Sequence, residues 1–200
     1  MKIYSGAGIL PVIIINNNKY FVTFVSGKNL VTDAGGKLEK NDSILKTACR
    51  ELYEESRGLI NIREDVVNTN SIYIDVKKDN KYYRCYIILI NDFDIKYYYK
   101  NYKIINNFNY NPFSETYGIK LLRLNKLYYD KDDNMFMRDI DNKKIKISMR
   151  LNNIITRIKN KNLVLTINPI NLNKTTTSIK TYEYYTNKII KLNNLTTFSL

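Results

Sequence analysis

GGKLEKNDSILKTACRELYEESRGLI, residues 35–60, is the stretch on which the reading of this chain turns. It opens on a glycine pair, passes through a polar loop, and continues with helical spacing. Leu45, Ala48, Cys49 and Leu52 recur at the intervals of an amphipathic helix, which predicts helix over 43–56. Asp42 or Ser43 can cap its start, and Gly58 is a natural stop. The same run carries Glu51, Glu54 and Glu55. At about 100° per residue these carboxylates fall on one helical face. Like charges so spaced repel and weaken a helix modestly. Two readings account for them: a solvated acidic face, or a face that holds a cation. Several oxygen ligands in a row suit Mg²⁺ or Mn²⁺. Arg50, beside Glu51, can hold a glutamate or the loop by charge-assisted hydrogen bonds.

This acidic cluster stands in a basic chain. The 200 residues include 32 Lys and Arg against 19 Asp and Glu, a formal charge of +13. Such a charge favours polyanionic partners. The chain is also rich in Asn, Ile, Lys and Tyr, whose codons are AT-rich, so genome bias competes as a cause. With 44% hydrophobic residues the chain can bury a proper core. No apolar run reaches the length of a membrane span, and the patch Ile9 to Ile15 reads as a strand. Histidine is absent, which excludes His bases, His-containing triads and His-ligated zinc. Acid–base or metal chemistry must therefore use carboxylates, lysine, tyrosine or water. Cys49 and Cys85 form no cysteine framework and read as core residues, which fits a reducing, cytoplasmic compartment.

Outward from the central stretch, residues 6–25 read as two strands about Asn16 to Asn18, with Pro11 suggesting an edge or a bulge. SGKNLVTDAGGKLEKN reads as a loop. SIYIDVKK and KYYRCYIILIN read as strands joined at Asp79-Asn80, and TYGIKLLRLNKL as a further strand. DKDDNMFMRD reads as a charged loop. In ISMRLNNIITRIKN, Ile147, Leu151, Ile154, Ile155 and Ile158 share one side of a helix. Strands before and after a central helix predict a mixed α/β (α+β) domain. The expected division is a domain over 1–160 and a basic, Asn- and Thr-rich extension over 161–200.

From Gly36 the stretch resembles the Nudix box, the signature of Nudix hydrolases. That pattern runs glycine, five residues, glutamate, seven residues, Arg-Glu, an aliphatic residue, any residue, Glu-Glu, any residue, glycine, aliphatic. Gly36, Arg50, Glu51, Leu52, Glu54 and Glu55 match without a gap. Asp42 stands where glutamate is usual, and one extra residue precedes Gly58 and Leu59. The insertion follows the ligand face, so it should alter the helix exit rather than the metal site. The resemblance implies a mixed sheet sandwiched between helices. It also implies hydrolysis of a pyrophosphate bond in a substrate with a nucleoside diphosphate linked to another group. Glu51, Glu54, Glu55 and Gly36 would hold Mg²⁺ or Mn²⁺, with the Lys37 backbone beside them and Glu39 in a supporting role. The general base would be a box glutamate or an acid on a later loop. Glu115 is the candidate, set against a plain loop glutamate; Asp92 and Asp94 are weaker ones.

Substrate is open at this level. Capped RNA fits the charge, the basic tail and the stretch 96–103, where Tyr97, Tyr98, Tyr99 and Tyr102 interleave with Lys96, Lys100 and Lys103. Such a stretch can be a base-stacking platform or a half-buried strand. The combination is similar to viral Nudix decapping enzymes, and the AT-rich composition suits a large DNA virus or an AT-rich microbe. Free nucleotides and diphosphoinositol polyphosphates are the small-molecule alternatives. A non-catalytic, RNA-binding module on the same fold is the alternative of a different class; retention of the whole ligand set speaks against it. Arg150 is either a phosphate contact or a surface residue.

Overall fold

The computed structural model describes residues 2–27, 30–91, 93, 94, 96, 98, 116–124, 128, 129, 135–160, 167 and 169–172. Strands β1 (Tyr4–Ile15) and β2 (Asn18–Ser26) form a hairpin, and Asn16 and Asn17 adopt positive φ at its turn. β3 (Val31–Thr32) and β4 (Ala34–Lys37) follow, then α1 (Ile44–Glu55) and α2 (Glu64–Asn70). β5 (Ser71–Lys78) and β6 (Lys81–Ile90) make a second hairpin across Asp79, also at positive φ. β7 (Thr116–Arg123), β8 (Tyr128–Tyr129), β9 (Met135–Arg138), β10 (Lys144–Lys146) and α3 (Met149–Asn160) complete the described elements.

The main sheet has seven described strands and runs β3-β2-β1-β6-β5, with β4 added on β1 and β7 on β2. β1 and β6 are parallel; the other pairs are antiparallel. β8, β9 and β10 form a separate small sheet. Successive strand residues point to opposite faces, and β6 divides accordingly. Tyr86, Ile88 and Ile90 join a cluster with Ala48, Leu52, Val66 and Val67 of α1 and α2. Cys85, Ile87 and Leu89 join a second cluster with Leu151, Ile154, Ile155 and Ile158 of α3. The mixed sheet is thus layered between helices, as the fold class predicts.

Three local readings need correction. Pro11 lies in neither an edge strand nor a bulge: β1 is central. β1 pairs with β4 through Ile9 and with β2 from Val12, so Pro11 falls at the exchange of partners, where a missing N–H costs no ladder bond on that side. The apparent loop before the helix contains β3 and β4, two strands too short to carry a periodic signal. The charged loop at 130–139 includes β9, whose Met137 is buried beneath α3. The packed chain also passes residue 160. Ile170 is buried and exchanges backbone hydrogen bonds with Leu89 and Asn91. Among the described residues no helix is long and apolar enough to cross a membrane.

Candidate active site

Ser43 caps α1, its Oγ accepting from the Lys46 N–H at 2.9 Å. The buried side of the helix comprises Thr47, Ala48, Glu51, Leu52 and Glu55. Two of the three glutamates are therefore pressed against the sheet instead of facing solvent. Leu45 and Cys49 are only partly buried at the margin. The glutamate positions follow from β4. Gly36 presents bare backbone to the Glu51 carboxylate, and a methyl group there would collide with it. The Gly35 N–H donates to Glu55 Oε1 at 3.2 Å. Glu55 Oε2 is buried and makes no hydrogen bond among the described residues. Glu54 turns outward, its side chain 40% exposed.

Arg50 gathers the rest. Its Nη1 lies 3.0 Å from Glu51 Oε1, 2.9 Å from Glu54 Oε2 and 3.5 Å from Glu39 Oε1. Nε reaches Asp42 Oδ2 at 3.4 Å, and Nη2 donates to the Lys37 carbonyl at 3.4 Å. One guanidinium thus binds the acidic face of the helix to the loop that leads into it. Asp42, shorter than the glutamate of the pattern, still contacts Arg50 and pairs with Lys46 at 2.8 Å. The extra residue before Gly58 sits in the helix exit, where Arg57 and Gly58 both adopt positive φ. Arg57 is buried and donates to the Thr116 carbonyl, while the Thr116 hydroxyl donates to the Glu55 carbonyl at 3.0 Å. The start of β7 is thereby tied to the end of α1.

Below β4 lies a polar group that sequence reading missed. Asp33 is fully buried. Its Oδ1 accepts from Arg150 Nε at 2.8 Å and its Oδ2 from the Tyr83 hydroxyl at 2.6 Å. Arg150, its side chain 32% exposed, reaches inward from α3 to Thr32, Asp33 and Gly35. The available signal was a single acid between Val31 and Ala34, just ahead of the glycine pair. These charges shape Glu55. Burial first, and then the nearby Asp33 charge, raise its pKa to about 8 against the opposing pull of the Gly35 N–H and Arg150. Arg150 is held protonated by Asp33, Tyr83 and Glu55, which outweigh its burial.

Glu115, Asp92, Tyr97, Tyr99, Lys100, Tyr102, Lys103 and the chain from 173 lie outside the described residues. Tyr98 is buried, packs on Phe93 and donates to the Ser56 carbonyl at 3.5 Å, so it is a core residue and offers no stacking surface. Lys96 and Asp94 are exposed. Burial pushes the Cys49 thiol up to about 12 and raises that of Cys85 as well, in keeping with core roles.

Among the described residues no three acidic or cysteine side chains converge on a common point. The donor set nonetheless fits a hard cation: carboxylates of Glu51 and Glu54 drawn to one guanidinium, and a buried Glu55 oxygen without a partner.

Neither a scan against family models nor a search of curated proteins found a match. Among solved structures, the chain is similar to an Ap4A hydrolase from C. elegans, at 16% identity and a TM-score of 0.34, over 46% of this chain and 69% of that one. It is similar to a bifunctional NMN adenylyltransferase/ADP ribose pyrophosphatase from Francisella tularensis, at 15% identity and 0.47, over 80% of this chain and 42% of that one. A third is the NUDIX domain of Shewanella oneidensis NrtR complexed with ADP ribose, at 10% identity and 0.36, over 62% and 75%. At these values the likenesses carry no conclusion about activity, and the functional reading rests on the residues of β4 and α1.

Proposed function

We propose that this chain is a metal-dependent pyrophosphohydrolase of the Nudix type, cleaving the diphosphate of a nucleotide-linked substrate. One observation carries the reading: two of the three α1 carboxylates are not on a solvated face. Glu51 and Glu55 are buried against the bare backbone of Gly35 and Gly36, and Glu55 keeps an unpartnered oxygen there. Burial and the nearby Asp33 charge disfavour the ionised form of Glu55, and a cation beside its unpartnered oxygen would offset that cost.

Glu51, Glu54, Glu55 and the Gly36 backbone would hold Mg²⁺ or Mn²⁺. When bound, such an ion neutralises phosphate charge and lowers the pKa of a coordinated water. The protein's own groups set the stage. Arg50 fixes Glu51 and Glu54 on one side, and the Gly35 N–H fixes Glu55 on the other. Glu115 is proposed to take the proton from the attacking water. The chain's +13 charge would draw in a polyanion. That charge also supports the finer proposal of capped RNA as substrate. Loss of Tyr98 from the stacking surface weakens it, and a small nucleotide derivative needs only the centre described.

The test is turnover of ADP-ribose, diadenosine tetraphosphate, cap-labelled RNA and a diphosphoinositol polyphosphate with Mg²⁺ or Mn²⁺, with products identified by mass. Hydrolysis at a diphosphate, abolished by a chelator and by Glu54→Gln, is expected. Absence of hydrolysis of every substrate would favour the binding-module alternative.

A further inference from the structure

We propose that Arg150 and Asp33 are positioning residues for Glu55, acting through strand β4 from the opposite face of the sheet. Only the consequence for cation binding rests on the hydrolase reading; the positioning stands on geometry. Arg150, the second residue of α3, donates from Nη2 to Thr32 Oγ1 at 2.9 Å and to the Gly35 carbonyl at 3.1 Å, and from Nε to Asp33 at 2.8 Å. Thr32 Oγ1 donates in turn to Asp33 Oδ1 at 3.1 Å. The second Asp33 oxygen accepts from Tyr83, whose hydroxyl end fills the space where side chains at Gly8 and Gly35 would stand. The Arg150 guanidinium lies over that ring at 4.7 Å. Groups from β6 and α3 thus hold the backbone of residues 32–35 in place.

The next links are single. The Gly35 N–H donates to Glu55, and Gly36 takes the Glu51 carboxylate on its bare backbone. At 3.2 Å the Gly35–Glu55 bond is near the long end of its range, so a modest displacement of β4 breaks it. Glu55 would then keep neither oxygen partnered. A buried Asp–Arg pair contributes little net stability relative to well-packed apolar residues. What it supplies is direction: several hydrogen bonds converge on the short segment that faces the two buried glutamates.

The experiment uses the full chain with Arg150→Lys and Arg150→Gln, checked for folding by circular dichroism and melting. In the metal-free state, hydrogen exchange at the Gly35 amide is followed by NMR, with the Val22 amide of β2 as reference. Arg150→Lys is expected to speed exchange at Gly35 about tenfold or more while leaving Val22 unchanged. Mn²⁺ titration gives the second readout, and here field and position have opposite signs. Deleting a nearby positive charge by Arg150→Gln would tighten cation binding if Arg150 acted by its field alone. Loss of positioning weakens it. In a Glu55→Gln background the Arg150→Lys effect on Mn²⁺ should vanish, because it travels through Glu55. If the Arg150 variants do not fold, Tyr83→Phe, which removes one bond to Asp33 and keeps the ring, is put through the same two measurements and should shift both in the same directions. Unchanged Gly35 exchange in a folded variant, or tighter Mn²⁺ binding by Arg150→Gln, overturns the proposal. A wild-type protein that binds no Mn²⁺, yet whose Gly35 exchange depends on Arg150, leaves the positioning intact and defeats the hydrolase reading.

Discussion

Glu55 has an ordinary carboxyl value of 4.5 when exposed and is raised to about 8 in the fold, chiefly by burial and then by Asp33. Between these values the folded, metal-free protein holds a proton that the unfolded chain releases. Stability must then fall as pH rises from about 4.5 to about 8. Glu55→Gln removes this loss, since Gln can still accept from the Gly35 N–H. Urea denaturation in a chelator should find the variant similar to wild type near the low end of that window and more stable above its high end. Equal stability across the window would mean that Glu55 is not buried as described. Activity should respond in the opposite sense. Glu54→Gln and Glu55→Gln are each expected to lower turnover by about 10²-fold or more, the scale of several kcal/mol of transition-state stabilisation. Steady-state rates at saturating Mg²⁺ check this, and near-normal rates in both would leave the carboxylates without a catalytic role.

At the scale of the element, α1 owes its placement to its ends as much as to its stripe. Ser43 satisfies the Lys46 N–H, and Ser43→Ala should cost about 1 kcal/mol. The exit turns through two positive-φ residues, with the Gly58 N–H donating to the Tyr53 carbonyl at 2.7 Å. Leu52 is fully buried in the α1 cluster, and Leu52→Ala should cost about 2–5 kcal/mol by leaving a cavity. Chemical denaturation of the two variants gives both numbers. A Leu52 effect no larger than the Ser43 effect would contradict the packing of α1 on the sheet. The helix was legible in sequence because its stripe, Leu45 to Leu52, repeats over about two turns. β3 and β4 were not, because strands of two and four residues hold no period to detect.

Across the whole molecule, the chain beyond residue 160 is partly core. Ile167 and Ile170 are buried, and Ile170 bridges to Ile90. Truncation after residue 160 should therefore lower the melting temperature and every activity together. Truncation after residue 172 keeps these contacts and isolates the basic remainder. If capped RNA is the substrate, the second truncation should reduce turnover of long capped RNA far more than that of a free nucleotide. Raising salt from about 50 to 200 mM should then weaken RNA binding steeply, through loss of counterion release. Equal effects of truncation on RNA and nucleotide in a folded protein would favour a small-molecule substrate. At the other end of the chain, Asp75 accepts from Lys2, Tyr4 and Arg84, and these bonds outweigh burial to hold its carboxyl well below the usual range. That network fastens the start of β1 to β5 and β6.

Local periodicity and turn residues marked the two long helices and the two hairpins, and the spacing of Gly36, Arg50, Glu51, Glu54 and Glu55 carried the resemblance to the Nudix box, since each is a relation between residues close in sequence. Tertiary structure alone decided which way those carboxylates face. An angular count on a helix places three glutamates together but is blind to what lies across from them. Here β4 lies across, and it buries Glu51 and Glu55 while leaving Glu54 to Arg50. Asp33, Tyr83 and Arg150 stand 50 and 117 residues apart in pairs that bond directly. No period or motif links positions so distant. Only the pairing of β1 with both β4 and β6, and the packing of α3 on the far face, bring them to one point.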